Sequence, residues 1–265
     1  MEDIIKELEY ELENTKGCIC VNKIKEKFPT LNELQIRYYI LELGYGDRIL
    51  KRKTKDINKN YFNEIVSPEK AYWLGFILAD GYLTNNGGFG IELIQKDIGH
   101  LEKFKTAIEY KGDIKIYNKN STFGEQPNCR ILFKNNQITH DLVKLGITLD
   151  KTNTGVFPKI PEYFFPHMIR GYFDGNGSIH LYKFKTKDGY GLGYISFCGT
   201  REILQDIENF SGVEWHWSKR RDNNTNNYQI SLSKSTEAKN FLKQIHYNKD
   251  NVCLERKLKK VEKVN

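Results

Sequence analysis

Hydrophobic residues recur at helical spacing in three short segments near the start of the chain. A first helix is predicted from Asp3 to about Asn14, where the periodic apolar residues are Ile4, Ile5, Leu8 and Leu12. A second helical run extends from Val21 to Phe28 and stops at Pro29. Thr30 is expected to cap a third helix, which ends at Gly44. Three short helices in succession are typical of a helix-turn-helix module.

From about residue 65 onward, the chain shows one pattern twice. Each half begins with an apolar helix that contains glycine and continues through strands in which polar and apolar residues alternate. The alternating residues of the first half include Ile114, Lys115, Ile116, Tyr117 and Lys119. Those of the second half include Val213, Trp215, Trp217, Tyr228, Gln229, Ile230 and Leu232. Each sheet is therefore predicted to have one polar face, which either contacts nucleic acid or is simply solvated.

The two apolar helices align glycine on glycine. The first extends from Trp73 to Gly81 and the second from Ile169 to Gly177. Their matched small residues are Gly75 with Gly171, Ala79 with Gly175, and Gly81 with Gly177. Small residues at this spacing allow two backbones to approach closely, so the helices are expected to pack against each other. The last glycine of each helix is expected to form a left-handed C-cap.

Asp80 and Asn176 end these two helices at matching positions. A helix C-terminus is partially negative, so a carboxylate there is unfavourable unless a cation lies beside it. A divalent metal would supply that charge, and carboxylate and amide oxygens are ligands that Mg²⁺ prefers. The alternative is that Asp-Gly and Asn-Gly are ordinary turn dipeptides. Two matching copies favour a shared metal site, which could hydrolyse phosphodiester bonds.

These motifs resemble those of single-chain LAGLIDADG homing endonucleases. The resemblance rests on Lys70–Gly81 and Pro166–Ser178 and extends over roughly residues 65–262. It implies an α+β fold of two pseudo-symmetric αββαββα repeats that share the helix pair and form a DNA-binding saddle. The predicted domains are 1–64, a small all-α helix-turn-helix-like module with a basic linker; 65–158, the first repeat; and 159–265, the second repeat.

The resemblance also implies metal ligands. Asp80 is the first ligand and Asn176 the second; Gly175 is also assigned to the metal, whereas Ala79, at the matching position, is not assigned. Because Asn brings no charge, metal affinity in that half and cleavage of one strand are in doubt. Asp174 is interpreted as a residue of the motif helix rather than the missing ligand.

The family further places a basic residue near each metal. The matching positions are Lys151 and either Arg256 or Lys257, of which Lys257 is assigned a catalytic role. An ordinary surface side chain is the alternative for each. Gln95 resembles the family's water-positioning residue, and its counterpart falls near Cys198, so two unequal active sites are expected.

Charge is consistent with a polyanionic partner. The formal net charge is +7, from 41 Lys and Arg against 34 Asp and Glu. The segment from Arg48 to Lys55 is predicted to be either an arm along phosphates or a solvated linker. The residues predicted to contact DNA are Lys115, Tyr117, Lys119, Arg130, Lys183, Lys185, Lys219, Arg220, Arg221 and Gln229.

Cysteine usage and hydropathy indicate the cellular setting. The five cysteines lack paired metal-ligand spacing, which favours a reducing compartment, and the longest apolar run, Ala71 to Ala79, is too short to span a bilayer. The chain is therefore expected to be intracellular, with no membrane partner. The family resemblance further implies a monomer that uses Mg²⁺ or Mn²⁺ to cut double-stranded DNA at a long specific site. The competing hypothesis is a DNA-binding regulator or RNA-splicing maturase that has kept the fold and lost the metal chemistry.

Overall fold

Two four-stranded antiparallel sheets with equivalent strand orders organise the chain beyond its first helices. The computed structural model describes residues 2–49, 56–121, 124–184, 188–219 and 226–264. Within these ranges no helix is both long and apolar enough to cross a membrane.

Three helices form the amino-terminal part and enclose a small core of their own. They are α1 (Glu2–Asn14), α2 (Val21–Lys27) and α3 (Glu33–Glu42). The prediction that Thr30 caps the third helix is wrong, because Asn32 holds that position. The Asn32 side chain accepts a hydrogen bond from the Gln35 backbone at 2.9 Å, and the Gln35 side chain accepts one from the Asn32 backbone at 2.9 Å. This reciprocal capping box fixes the helix start.

The first repeat follows the predicted αββαββα order. Its elements are α4 (Pro68–Asp80), β1 (Gly81–Leu83), β2 (Gly88–Ile94), α5 (Ile98–Ala107), β3 (Lys115–Ser121), β4 (Gly124–Lys134) and α6 (Asn136–Lys144), followed by the short helix α7 (Lys151–Thr154). The strand order is β1-β2-β4-β3. Ile116 faces the helices but remains 54% exposed, because β3 is an edge strand.

The second repeat has the same architecture. Its elements are α8 (Phe165–Asn176), β5 (Gly177–Lys183), β6 (Tyr190–Gly199), α9 (Arg201–Ser211), β7 (His216–Lys219), β8 (Tyr228–Leu232), α10 (Ser235–Gln244) and α11 (Glu255–Glu262). The strand order is β5-β6-β8-β7, so the predicted α+β class with two αββαββα repeats is confirmed. Val213 and Trp215 precede β7 rather than lying in it. Hydrogen bonds from Trp215 to Glu208 and Ser211, both 2.9 Å long, bind this segment to α9 instead.

Helices α4 and α8 pack backbone against backbone at the interface between the repeats. A Cβ atom added at Gly75 would overlap the carbonyl oxygen of Met168, and one at Gly171 would overlap that of Tyr72. The two glycines therefore allow the same close approach from opposite sides, as their alignment predicts.

The glycines that follow these helices have a different role from the predicted one. Gly81 has φ −71° and ψ 159°, and Gly177 has φ −94° and ψ 165°, so both are extended and begin a strand. The left-handed caps expected here are absent. Glycine is required because a Cβ at Gly81 would lie 2.7 Å from the carbonyl oxygen of Ile77, and one at Gly177 would lie 2.5 Å from that of Phe173.

The amino-terminal helices dock on the first repeat through α3 and α6. Arg37 donates to the side chain of Asn136 at 3.0 Å, and the Tyr38 ring stacks on His140 with centroids 5.2 Å apart. Between its own core and α6, α3 exposes only Glu42 to more than about a third, and that side chain is 39% exposed. DNA contact by this module and the proposed domain boundaries remain predictions.

Candidate metal centre and nucleic-acid interface

The paired helices bring the two halves of the predicted site together at their carboxyl ends. A Cβ at Gly175 would overlap that of Ala79 and would lie 3.3 Å from Oδ2 of Asp80. The Asp80 carboxylate of the first repeat thus lies against the backbone that leads directly into Asn176 of the second. Both side chains are partly buried.

A lysine caps each of these helices, and Lys257 is buried whereas Lys151 is partly buried. Lys151 donates to the carbonyl oxygens of Leu78, at 2.8 Å, and Ala79. Lys257 donates to the carbonyl oxygens of Phe173, Asp174 and Gly177 at 2.6, 2.7 and 2.6 Å. An ammonium group has three N–H donors, so those of Lys257 are all occupied and Lys151 keeps one. Burial lowers the pKa of both lysines to about 8, although nearby carboxylates oppose the shift.

These cations stabilise the negative charge of Asp80. Burial raises the pKa of Asp80, and the positive charges of Lys151, Lys257 and Arg256 oppose that rise. The unfavourable position of a carboxylate at a helix C-terminus is therefore partly offset within the protein, although the pKa of Asp80 stays raised. The case for a metal rests on the oxygen ligands present.

Asn176 is held by its own helix. Its amide nitrogen donates to the Tyr172 hydroxyl at 3.1 Å, and that hydroxyl donates to the Cys198 carbonyl oxygen at 2.8 Å. With the nitrogen engaged in this way, the amide oxygen is the atom available to a ligand. Gln95 begins a single 3-10 turn, Gln95–Asp97, directly after β2.

Asp174 lies away from this centre, as the sequence interpretation requires. It is fully buried and accepts hydrogen bonds from the hydroxyls of Tyr72 at 2.6 Å and Tyr247 at 2.5 Å, and from the Leu254 backbone at 2.7 Å. The Tyr72 hydroxyl is also 2.9 Å from Nε2 of His100. This network joins the two repeats, and the sequence analysis missed it because its members are far apart along the chain.

The open face of the first sheet carries the residues predicted to contact DNA there. The strand register places Lys115, Tyr117, Lys119 and Arg130 on that one face. Glu92 lies among them and accepts hydrogen bonds from Lys119 at 2.6 Å and Asn128 at 3.0 Å. Burial favours the neutral acid, but hydrogen bonds, chiefly those from Lys119 and Tyr117, outweigh it and lower the pKa of Glu92.

The second sheet brings together fewer of the predicted contacts. Gln229 pairs with Cys198 and Ser218 on the open face. Lys219 pairs with Tyr228, one position along from the pair of Ser218 and Gln229, so its side chain points to the covered face of the sheet. Lys183 follows Leu181 on that same covered side. The open face also holds a pair that the sequence analysis missed, His180 and Tyr194, whose rings stack 4.9 Å apart.

Some of the predicted basic contacts cannot be placed. Lys185, Arg220 and Arg221 lie outside the described residues, as does the basic segment after Ile49. At its start, Arg48 donates to the carbonyl oxygens of Leu12 at 3.1 Å and Gly17 at 3.2 Å. Its guanidinium therefore closes the end of α1 rather than extending as an arm.

Similar folds occur among solved structures. One is the LAGLIDADG meganuclease I-AabMI bound to uncleaved DNA, at 15% identity and a TM-score of 0.45 over 74% of this chain and 88% of that one. Another is the LAGLIDADG homing endonuclease I-GzeII in complex with its DNA target, at 14% identity and a TM-score of 0.46 over 75% and 89%. A third is full-length DUF199/WhiA from Thermatoga maritima, at 14% identity and a TM-score of 0.44 over 80% and 65%. No family model and no curated protein matches the sequence. At these identities the likeness concerns the fold alone.

Proposed function

We propose that this chain is a site-specific endonuclease that hydrolyses both strands of duplex DNA with Mg²⁺ or Mn²⁺. The observation that carries the proposal is the convergence of Asp80 with Gly175 and Asn176 between two lysines that cap the paired helices. An oxygen-rich centre flanked by cations is suited to a reaction in which negative charge develops on a phosphoryl group.

The residues present fit a hard divalent cation. The Asp80 carboxylate and the Asn176 amide oxygen are ligands of the kind that Mg²⁺ and Mn²⁺ take, and the absence of a side chain at Gly175 leaves room beside Asp80. Such an ion, when bound, would lower the pKa of a coordinated water and stabilise charge on the leaving oxygen. Asp80 and Asn176 would hold it, with the backbone of Gly175 close by.

The lysines contribute positive charge at the same place. With a pKa of about 8, Lys151 and Lys257 are mostly protonated at neutral pH, and each pKa is close enough to that pH for the group to exchange a proton readily. The third N–H of Lys151 can reach a phosphoryl oxygen, whereas Lys257 acts through its field because its donors are occupied. Gln95, directly after β2, would orient the attacking water.

Affinity for DNA would come from the open sheet faces. Lys115, Lys119 and Arg130 can bind phosphates, and Tyr117 and Gln229 can reach base edges. Since one chain supplies both halves of the centre, a monomer suffices to act on both strands.

Asn176 supports a second candidate function. An amide in place of a carboxylate halves the formal negative charge that the centre offers a metal. A regulator or maturase that binds nucleic acid without cutting it would tolerate this loss. The two functions differ in a single respect, which is whether bound DNA is broken when Mg²⁺ is present.

A pool of random duplex DNA separates the two candidates. Purified protein is incubated with the pool in Mg²⁺ beside Asp80→Ala, and all new ends are sequenced. Double-strand breaks at one shared sequence, absent with Asp80→Ala, support the endonuclease. Recovery of bound but intact duplex in every divalent metal tested supports the regulator or maturase.

A further inference from the structure

One ion pair connects the two repeats beside the candidate centre. Arg256, on α11, donates through Nε to Oδ2 of Asp97 at 2.7 Å. The Asp97 side chain is 5% exposed, whereas that of Arg256 is 50% exposed. The buried carboxylate thus holds Nε at the inner edge of the guanidinium, and the two terminal nitrogens of this half-exposed side chain form a fork.

This fork lies directly beside a lysine that has no donor to spare. Arg256 directly precedes Lys257, whose three N–H donors are occupied by helix carbonyls. The charges of Arg256 and Asp97 both reach the Asp80 carboxylate, so the ion pair belongs to the electrostatics of the centre. A guanidinium fork matches two oxygens of a phosphate better than an ammonium group does.

The other half of the centre has no equivalent pair. The position that matches Arg256, directly before Lys151, is Asp150, which is exposed and accepts a hydrogen bond from Asn153 at 2.9 Å. The position that matches Asp97, two residues after Cys198, is Thr200, which donates to the Gly155 carbonyl oxygen at 2.6 Å. One half therefore has a cation where the other has a carboxylate.

We propose that Arg256 binds a backbone phosphate in the half-site that contains Lys257, that Asp97 is its positioning residue, and that the two DNA strands are consequently cut at unequal rates. The inference rests on the proposed endonuclease function. Lys151 serves the other half-site with its remaining N–H, so loss of Arg256 affects one strand selectively.

The test compares Arg256→Gln and Asp97→Asn with Lys259→Gln, which removes an equal charge from an exposed residue of α11. A duplex labelled differently at each 5′ end reports the cleavage of each strand, and binding in chelator is measured against salt concentration. Arg256→Gln is expected to slow one strand roughly 100-fold more than the other. The slope of the logarithm of its binding constant against the logarithm of salt concentration, here called the salt slope, should fall in magnitude by about 0.9, the value for one lost phosphate contact.

Asp97→Asn is expected to slow cleavage of the same strand, but less severely. Asp97→Glu should cleave that strand at a rate closer to wild type. The melting temperatures should show that both variants are folded. Lys259→Gln should keep the wild-type strand ratio. If Arg256→Gln keeps both the wild-type strand ratio and the wild-type salt slope, the inference is overturned. If the wild-type protein cuts no duplex, the proposed function fails, and an unchanged salt slope for Arg256→Gln then overturns the inference separately.

Discussion

Single buried polar side chains account for much of how the two repeats are joined. His100 is 4% exposed and contacts the Tyr72 hydroxyl, which in turn donates to the fully buried Asp174. Burial, with smaller contributions from Lys103 and Lys257, lowers the pKa of His100 to about 3. The folded protein therefore resists protonation of an imidazole that titrates freely in the unfolded chain.

This histidine predicts a pH dependence of stability. Between pH 6.5 and about 3 the unfolded chain binds a proton that the folded chain does not. The contribution of His100 to the free energy of unfolding is therefore complete above pH 6.5 and is lost as the pH is lowered through this window. The expected slope is at most about 1.4 kcal/mol per pH unit for this group. Urea unfolding at several pH values should show a weaker loss for His100→Gln than for wild type. His216→Gln, a change on the exposed face of β7, should keep the wild-type dependence; parallel curves for all three proteins would refute the account.

The residues of the centre were predictable to the extent that they occur in a repeat. Asp80 and Asn176 could be matched by aligning two glycine-containing segments, and Lys151 with Lys257 by their place in each half. The network around Asp174 could not, because Tyr72, His100 and Tyr247 share no spacing with it. The saturation of the Lys257 donors also depends on three-dimensional packing that no local pattern records.

At the scale of elements, the pairing of α4 with α8 determines where the centre forms. Helix contact at Gly75 and Gly171 is reciprocal, and it places Asp80 against Gly175. The sequence prediction for the glycines that follow these helices was wrong. A left-handed helix cap requires glycine, and so does a strand whose first residue packs against the last turn of the preceding helix. Sequence alone does not separate these two causes.

Substitution of the helix-pair glycines should be far more costly than that of other helical glycines. In Gly75→Ala the new methyl group would overlap the Met168 carbonyl, and the helices would have to separate. A loss of roughly 3 kcal/mol or more in unfolding free energy is expected. Gly99→Ala, in α5 with nothing within 4 Å of the added atom, should gain up to about 1 kcal/mol. Chemical denaturation measures both, and equal effects would contradict the packing described.

For the whole molecule, the internal repeat predicts the architecture that the two halves share, but it does not predict the contacts in which they differ. The order of helices and strands follows from patterns that occur twice. The docking of α3 on α6, through Arg37 with Asn136 and Tyr38 with His140, could not be predicted from either segment alone. Because that packing covers most of α3, the amino-terminal module would have to contact DNA through other surfaces.

The two halves also differ in charge, which under the proposed function would affect the cleavage of each strand. One half contains the Asp80 carboxylate, and the other contains the uncharged Asn176. The central claim is that Asp80 is needed for cleavage and not for binding, and a duplex recovered from the random pool allows the two to be measured separately.

The most direct measurement is the cleavage rate of that duplex by Asp80→Asn in Mg²⁺, beside its affinity in chelator. The affinity should stay within about threefold of wild type, since the phosphate contacts remain. Cleavage should fall at least roughly a thousandfold, because a metal-binding carboxylate supports several kcal/mol of transition-state stabilisation. Asp206→Asn, a change at an exposed carboxylate of α9, should cut at the wild-type rate. If Asp80→Asn cuts as fast as wild type, or if wild type cuts equally well in chelator, the assignment of a metal-dependent endonuclease is contradicted.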